Sequence, residues 1–161
     1  MLNGHLKFPS QKKIDKEKRR LSREEWIRKA LISVSGCNVL FLDPDNGLQI
    51  ASCSKIHQLK SGKFAYLGEI KELVEDKITA TIYHHLNRHG THEEQIRTRV
   101  AELRKSINPS GKIFAVRFRP YNPRAFFIIT VKTEENRIAR KLNDFLNNSS
   151  HAEFWDSYYV G

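Results

Sequence analysis

Two aspartates directly follow a strongly apolar segment, and a glutamate comes soon after them. Asp43 and Asp45 flank Pro44 behind residues 39–42, and Glu69 lies 24 positions beyond Asp45. Carboxylate oxygens are the ligands that hard divalent cations prefer. The spacing predicts that these three carboxylates hold Mg²⁺ or Mn²⁺. The alternative is a plain turn, in which Pro44 fixes φ and the acidic side chains cap the backbone.

Histidines are concentrated in one short segment. Four of the seven histidines lie between positions 84 and 92, behind a second apolar, β-branched segment. Because imidazole exchanges protons near neutral pH, His84 or His85 is a candidate catalytic base or acid. Side chains alternate along a strand, so these two are expected on opposite faces, and only one is expected in any given pocket. The candidate substrate-binding residues are Asn46, Arg88, His89 and His92.

The charge balance indicates the class of partner. Lys and Arg number 28 against 18 Asp and Glu, which gives a net charge of +10. Ten of the basic residues and only four of the acidic ones fall in residues 1–30. A chain this basic attracts polyanions, and the phosphate backbone of nucleic acid is the commonest of them. The sequence therefore predicts a nucleic-acid partner, and it leaves the oligomeric state open.

Apolar periodicity predicts the elements that position these clusters. The predicted helices begin at Ser22, Thr91 and Thr133. The predicted strands cover residues 39–42, 78–83, 113–118 and 125–131. The uninterrupted apolar run at 39–42 is typical of a strand buried on both faces.

This order of elements predicts the fold class and the domain organisation. It favours a single three-layer α/β domain over residues 21–161, with a mostly parallel sheet and an antiparallel pair at one edge. Residues 1–20 lack apolar periodicity and are expected to form a basic, flexible arm. Because the carboxyl ends of parallel strands meet at one edge, the acidic and histidine clusters are expected to converge there.

Several classes of protein are excluded by composition. No apolar run reaches the roughly 18–20 residues of a membrane helix, so no membrane partner is expected. The two cysteines, Cys37 and Cys53, are too few for a disulfide scaffold or a zinc knuckle. The amino end has no apolar signal segment, and we expect a cytoplasmic protein.

Two known folds share parts of this pattern. Pro44 and Asp45 followed by Glu69 and Lys71 resemble the PD-(D/E)XK nuclease signature, which implies a metal held by the carboxylates and water activated by Lys71. Residues 39–48 also resemble the motif after an apolar strand in the carboxyl-terminal half of Rossmann-type methyltransferases. Residues 1–36 contain only two glycines, so that resemblance implies a fold without an intact cofactor site.

A third resemblance covers most of residues 22–161. The motifs FLDPDNG at 41–47 and YHHLxR at 83–88 resemble those of a bacterial protein family without an assigned activity. Lys71 does not belong to that family pattern. The resemblance implies one shared site for Asp43, Asp45, Asn46, Glu69, His84, His85 and Arg88.

These observations favour a divalent-metal-dependent phosphodiester hydrolase, similar to a nuclease, that acts on nucleic acid. Asp43, Asp45 and Glu69 would hold the metal, and Arg88 would hold a phosphate. Two alternatives stay open. The first is a methyltransferase-like fold without an intact cofactor site, and the second is a nucleic-acid-binding protein without catalysis.

Overall fold

The computed structural model describes residues 15–75 and 78–160, with the side chains of 158–160 excepted. The helices are α1 (Lys16–Val34), α2 (Leu67–Val74), α3 (His92–Ile107) and α4 (Glu135–Asn148). The strands are β1 (Val39–Leu42), β2 (Thr79–His85), β3 (Ile113–Phe118), β4 (Arg124–Ile129) and β5 (Trp155–Val160). The fold is therefore mixed α/β, as the sequence predicts.

The five strands form one sheet in the order β1-β2-β4-β3-β5. Only β1 and β2 pair in parallel, and every other neighbouring pair is antiparallel. The prediction of a mostly parallel sheet with an antiparallel edge pair is therefore wrong. The physical reason is the short connection from β3 to β4, which folds β4 back into the space between β2 and β3. Strands β1, β2 and β3 still run in the same direction, so their carboxyl ends lie at one edge.

The first face of the sheet packs against α2 and α3. Helix α3 begins after Thr91 as predicted, and Thr91 and Glu94 form a reciprocal capping box. The four buried residues of α3 repeat at helical spacing and pack on apolar side chains of β2 and β4. They are Ile96, Val100, Leu103 and Ile107.

The second face of the sheet is only partly covered. Helix α4 lies against it, and the ring centroids of Phe145 and Trp155 are 5.3 Å apart. Strand β1 lies at the sheet edge, and its Val39 and Phe41 are exposed on this face. The expectation that residues 39–42 are buried on both faces is therefore wrong, and a three-layer arrangement is not confirmed.

Helix α1 begins at Lys16, six residues before the predicted start at Ser22. Residues 16–20 are therefore helical rather than part of an arm, and residues 1–14 of the predicted arm lie outside the described residues. Arg19 is 5% exposed, and its Nε donates to the carbonyl of His57 at 2.8 Å. This start was missed because α1 buries arginine side chains where an apolar stripe was expected.

None of the helices in the described part of the chain combines the length and apolar character needed to cross a bilayer.

Candidate functional site

A cavity of about 500 Å³ opens where the carboxyl ends of β1 and β2 meet the first turns of α3. We call it the histidine cavity. Its polar lining comes from the turn after β1, from the end of β2 with the loop that follows, and from α3. These residues are Asn46, His84, His85, Asn87, His89, Glu94, Gln95, Thr98, Arg99 and Glu102.

His84 is the most deeply buried polar residue of this cavity, with 4% of its surface exposed. Its Nδ1 accepts a hydrogen bond from the backbone N–H of Leu48 at 3.1 Å. Burial, together with the charges of Arg99 and His85, lowers the pKa of His84 to about 3. The ring is therefore neutral at physiological pH, with its proton on Nε2 as a hydrogen-bond donor.

His85 follows on the opposite face of β2, as strand alternation predicts. Its Nε2 lies 2.9 Å from the hydroxyl of Tyr83, which fixes the orientation of the imidazole. The expectation that only one of the two histidines enters a pocket is nevertheless wrong. Both line the histidine cavity, because that cavity lies over the end of the strand rather than on one face.

Gln95 holds the loop that carries His89 in place. Its Oε1 accepts from the backbone N–H of Asn87 at 3.0 Å, and its Nε2 donates to the carbonyls of Asn87 and His89. Arg99 lies one helical turn further along α3, and its Nη1 is 2.6 Å from Glu102 Oε2. Gln95, Arg99 and Glu102 are not among the site residues predicted from the sequence. The sequence signal that could have identified them is the spacing i, i+4 and i+7, which places all three on one side of α3 beside its apolar stripe.

The two carboxylates of the cavity are already engaged by neighbours. Glu94 accepts from the hydroxyl of Thr91 at 2.9 Å and from its backbone N–H at 3.1 Å, and these bonds lower the pKa of Glu94. Glu102 is paired with Arg99. The remaining polar groups include imidazoles, a guanidinium and amides, and these can donate hydrogen bonds to an anion.

The three predicted metal ligands line a second cavity of about 440 Å³ between α1, α2 and β1. Both carboxylate oxygens of Glu69 are held by Arg23, whose guanidinium is buried and also donates to the carbonyls of Ser61 and Phe64 at 2.8 Å. Glu69 also accepts from the backbone N–H of Tyr66 at 3.3 Å.

The other two carboxylates are exposed. Asp45 Oδ2 lies 2.7 Å from Lys63 Nζ, and this lysine lowers the pKa of Asp45, with a smaller contribution from His85. Within residues 15–75 and 78–160, no three His, Cys, Asp or Glu side chains form a group that could hold a metal. Arg23 engages both oxygens of Glu69, and Lys63 engages Asp45, so a metal ion held by Asp43, Asp45 and Glu69 stays a prediction.

Three further predicted site residues lie outside both cavities. Lys71 is exposed on α2, and Arg88 is exposed on the loop after β2. His92 Nδ1 lies 3.2 Å from Arg117 Nη1, on the side of α3 that faces β3. The nuclease-like role predicted for Lys71 therefore has no support in this arrangement, whereas Asn46, His84, His85 and His89 do come together.

Comparisons of this chain with protein-family models, with curated proteins and with solved structures give no match.

Proposed function

We propose that this protein is a phosphodiester hydrolase that acts on nucleic acid at the histidine cavity. One observation carries the proposal: His84, His85 and His89 converge with Arg99 on a single cavity at the carboxyl ends of β1 and β2. Hydrogen-bond donors that face a phosphoryl group stabilise the charge that develops on its oxygens, and a nearby imidazole can transfer the proton of the attacking water.

Each group has a distinct role in this proposal. His85 takes a proton from the attacking water, whose oxygen then forms the new bond to phosphorus. The bond from phosphorus to the leaving sugar oxygen breaks, and His89 gives that oxygen a proton. His84 Nε2–H and Arg99 stabilise the charge that develops on the phosphoryl oxygens. The products are a phosphate monoester and a free hydroxyl, so the step is a hydrolysis without redox change.

The neutrality of His84 supports this division of roles. A group with a pKa near 3 cannot act as the general base at neutral pH once its Nδ1 is occupied by the N–H of Leu48. The neutral ring of His84 can donate a hydrogen bond from Nε2, and its protonation state does not change near neutral pH. His85, which has one hydrogen bond to Tyr83, is the imidazole of β2 suited to proton transfer.

Nucleic acid is the substrate class that the charge of the chain favours. The net charge of +10 attracts polyanions by long-range electrostatics, before any direct contact forms. Binding of an oligonucleotide should therefore weaken steeply as salt is raised, because each neutralised phosphate releases counterions.

The test is hydrolysis of fluorophore–quencher RNA and DNA oligonucleotides by the wild-type protein and by His85→Asn and Arg99→Gln, with His151→Asn as control. We expect both site variants to lose at least tenfold in rate and the control to match wild type. Activity that persists in EDTA supports a site without metal. Activity that EDTA abolishes and Mg²⁺ restores contradicts a metal-free site at the histidine cavity. It favours a metal-dependent site with Asp43 and Asp45 as ligands. Binding without hydrolysis by the wild-type protein contradicts the proposal and favours a non-catalytic nucleic-acid binder.

A second candidate is favoured by the strand order. Strand β1, the turn at residues 43–47, β2 and the β3–β4 pair follow one another as the resemblance to the second half of Rossmann-type methyltransferases implies. The same hydrolysis assay separates the candidates, because a methyltransferase-like fold without an intact cofactor site predicts no hydrolysis of either oligonucleotide. Saturable binding of S-adenosylmethionine in a calorimetric titration would contradict both candidates.

A further inference from the structure

Aromatic side chains from four adjacent strands form a continuous row on the second face of the sheet. Tyr83 packs on Phe126 with ring centroids 5.6 Å apart, and Phe126 packs on Trp155 at 5.6 Å. Phe118 continues the row at 5.0 Å from Trp155. We call these four residues, with Arg124, the aromatic face.

Arg124 differs from most arginines of the described chain, which pair with carboxylates or carbonyls. Its guanidinium lies over the ring of Tyr83, with Cζ 5.8 Å from the ring centroid. Its Nε is buried and has no hydrogen-bond partner among the described residues. The residue as a whole is half-buried, and no carboxylate among the described residues pairs with its guanidinium, so its positive charge is available to a phosphate.

Tyr121 adds an aromatic ring beside this face. It lies in the loop between β3 and β4, three residues beyond the end of β3 and three before the start of β4. It is fully exposed, and its φ of 59° is the left-handed conformation that costs a non-glycine residue energy. An exposed ring held in a costly backbone conformation is available to stack on a ligand.

His85 connects the aromatic face to the histidine cavity. It lines the cavity, and it also lies edge-on to Tyr83 with centroids 5.0 Å apart. On the neighbouring strand its register partner is Arg124. The cavity and the aromatic face therefore adjoin at His85, and an oligonucleotide with one phosphate in the cavity can also contact the aromatic face.

Phe145 of α4 covers Trp155 at one end of the aromatic face, so the surface open to a ligand lies at the other end, at Tyr83 and Arg124, and at Tyr121. We propose that Tyr121 and this open end of the aromatic face stack the bases of single-stranded nucleic acid, so that the substrate of the histidine cavity is a single strand. The inference rests on the proposed function. Aromatic rings bind unpaired bases of any sequence, whereas bases in a duplex are already stacked and paired. Arg124 supplies the charge complementarity to the phosphates on either side of a stacked base.

The test measures fluorescence anisotropy of a labelled single strand and of a hairpin duplex with the same sequence, at one fixed salt concentration. We expect the wild-type protein to bind the single strand roughly tenfold more tightly. Tyr121→Ala and Arg124→Gln should remove most of that difference, and Tyr121→Phe, which keeps the ring, should retain it. The control Arg140→Gln changes an exposed arginine of α4 and should change neither affinity. Tyr121 is fully exposed, so its replacement leaves the fold intact.

A strand with abasic spacers separates this inference from the proposed function, because it keeps the phosphates and lacks the bases. Stacking is supported if the wild-type protein binds the abasic strand more weakly than the intact strand and Tyr121→Ala does not. Equal binding of intact and abasic strands, or an unchanged affinity of Tyr121→Ala, overturns the inference and leaves the hydrolase standing. A wild-type protein that binds neither strand overturns the proposed function and the inference together.

Discussion

Gly47 lies against His84 so closely that a β-carbon at position 47 would come within 2.2 Å of Nδ1. The φ of Gly47 is 92°, which other residues rarely adopt. Its N–H donates to the carbonyl of Pro44 at 3.1 Å, and its carbonyl accepts from the N–H of Ala65. The turn after β1 can therefore present the N–H of Leu48 to His84 only with glycine here.

Gly47→Ala should destabilise the protein by about 3 kcal/mol, because backbone strain and displacement of the buried ring act together. Urea unfolding measures this change. Gly68→Ala is the matched control, since nothing lies within 4 Å of a β-carbon there and the site is helical. Equal stability of Gly47→Ala and wild type would show that the turn tolerates a side chain.

The buried His84 should make stability depend on pH. Its pKa is about 6.5 in the unfolded chain and is lowered to about 3 by burial in the folded protein. Between these values the unfolded state binds a proton that the folded state does not. Stability is therefore complete above pH 6.5 and falls as pH drops toward 3, by up to about 1.4 kcal/mol per pH unit.

His84→Asn tests this dependence, because its side-chain oxygen can still accept from Leu48 N–H but does not titrate. Urea unfolding between pH 4 and 7 should give a shallower slope for the variant than for wild type. Identical slopes would show that His84 is protonated to the same extent in the folded and unfolded chains.

The ion pair between Arg23 and Glu69 should contribute to stability rather than to activity. The Arg23 side chain is 5% exposed, so Glu69→Gln leaves a buried charge uncompensated and should cost about 3–5 kcal/mol. Glu25→Gln, which weakens exposed pairs with Arg28 and Lys29, is the control and should have a small effect. A stable Glu69→Gln protein without hydrolase activity would instead favour the metal site.

Arg19 and Arg20 provide an adjacent pair that tests the start of α1. Arg19 is buried and bonds to the carbonyl of His57, whereas Arg20 pairs with exposed carboxylates. Arg19→Ala should cost about 1–3 kcal/mol through a lost buried hydrogen bond, and Arg20→Ala should change stability little. If Arg19→Ala and Arg20→Ala are equally stable, residues 16–20 form a flexible arm, and the helical start of α1 is contradicted.

Local sequence signals predicted four of the five strands and the start of α3, but not the start of α1, the strand β5 or the way the strands pair. The apolar segments of β1, β2, β3 and β4 and the capping box of α3 are visible within a few residues of chain. The insertion of β4 between β2 and β3 depends on strand pairing, which periodicity does not encode.

The same limit applies to the site. The histidine cluster could be predicted because its members are adjacent in the chain. The partner of Glu69 could not be predicted, because Arg23 lies 46 residues away in the chain and no local pattern links the two. Arg99 was overlooked because a polar residue beside an apolar helical stripe is usually a solvated one.

If His84, His85 and His89 form one phosphodiester site, a bound phosphodiester must perturb all three imidazole rings together, and imidazole ¹⁵N NMR observes each ring separately. In the free protein at pH 7, His84 should show the neutral tautomer with its proton on Nε2. On titration with a dinucleotide, the signals of His84, His85 and His89 should shift along one binding curve, and those of His57 and His151 should not. Saturable binding that leaves the signals of His84, His85 and His89 unchanged would show that the dinucleotide binds elsewhere and that these histidines do not form the site.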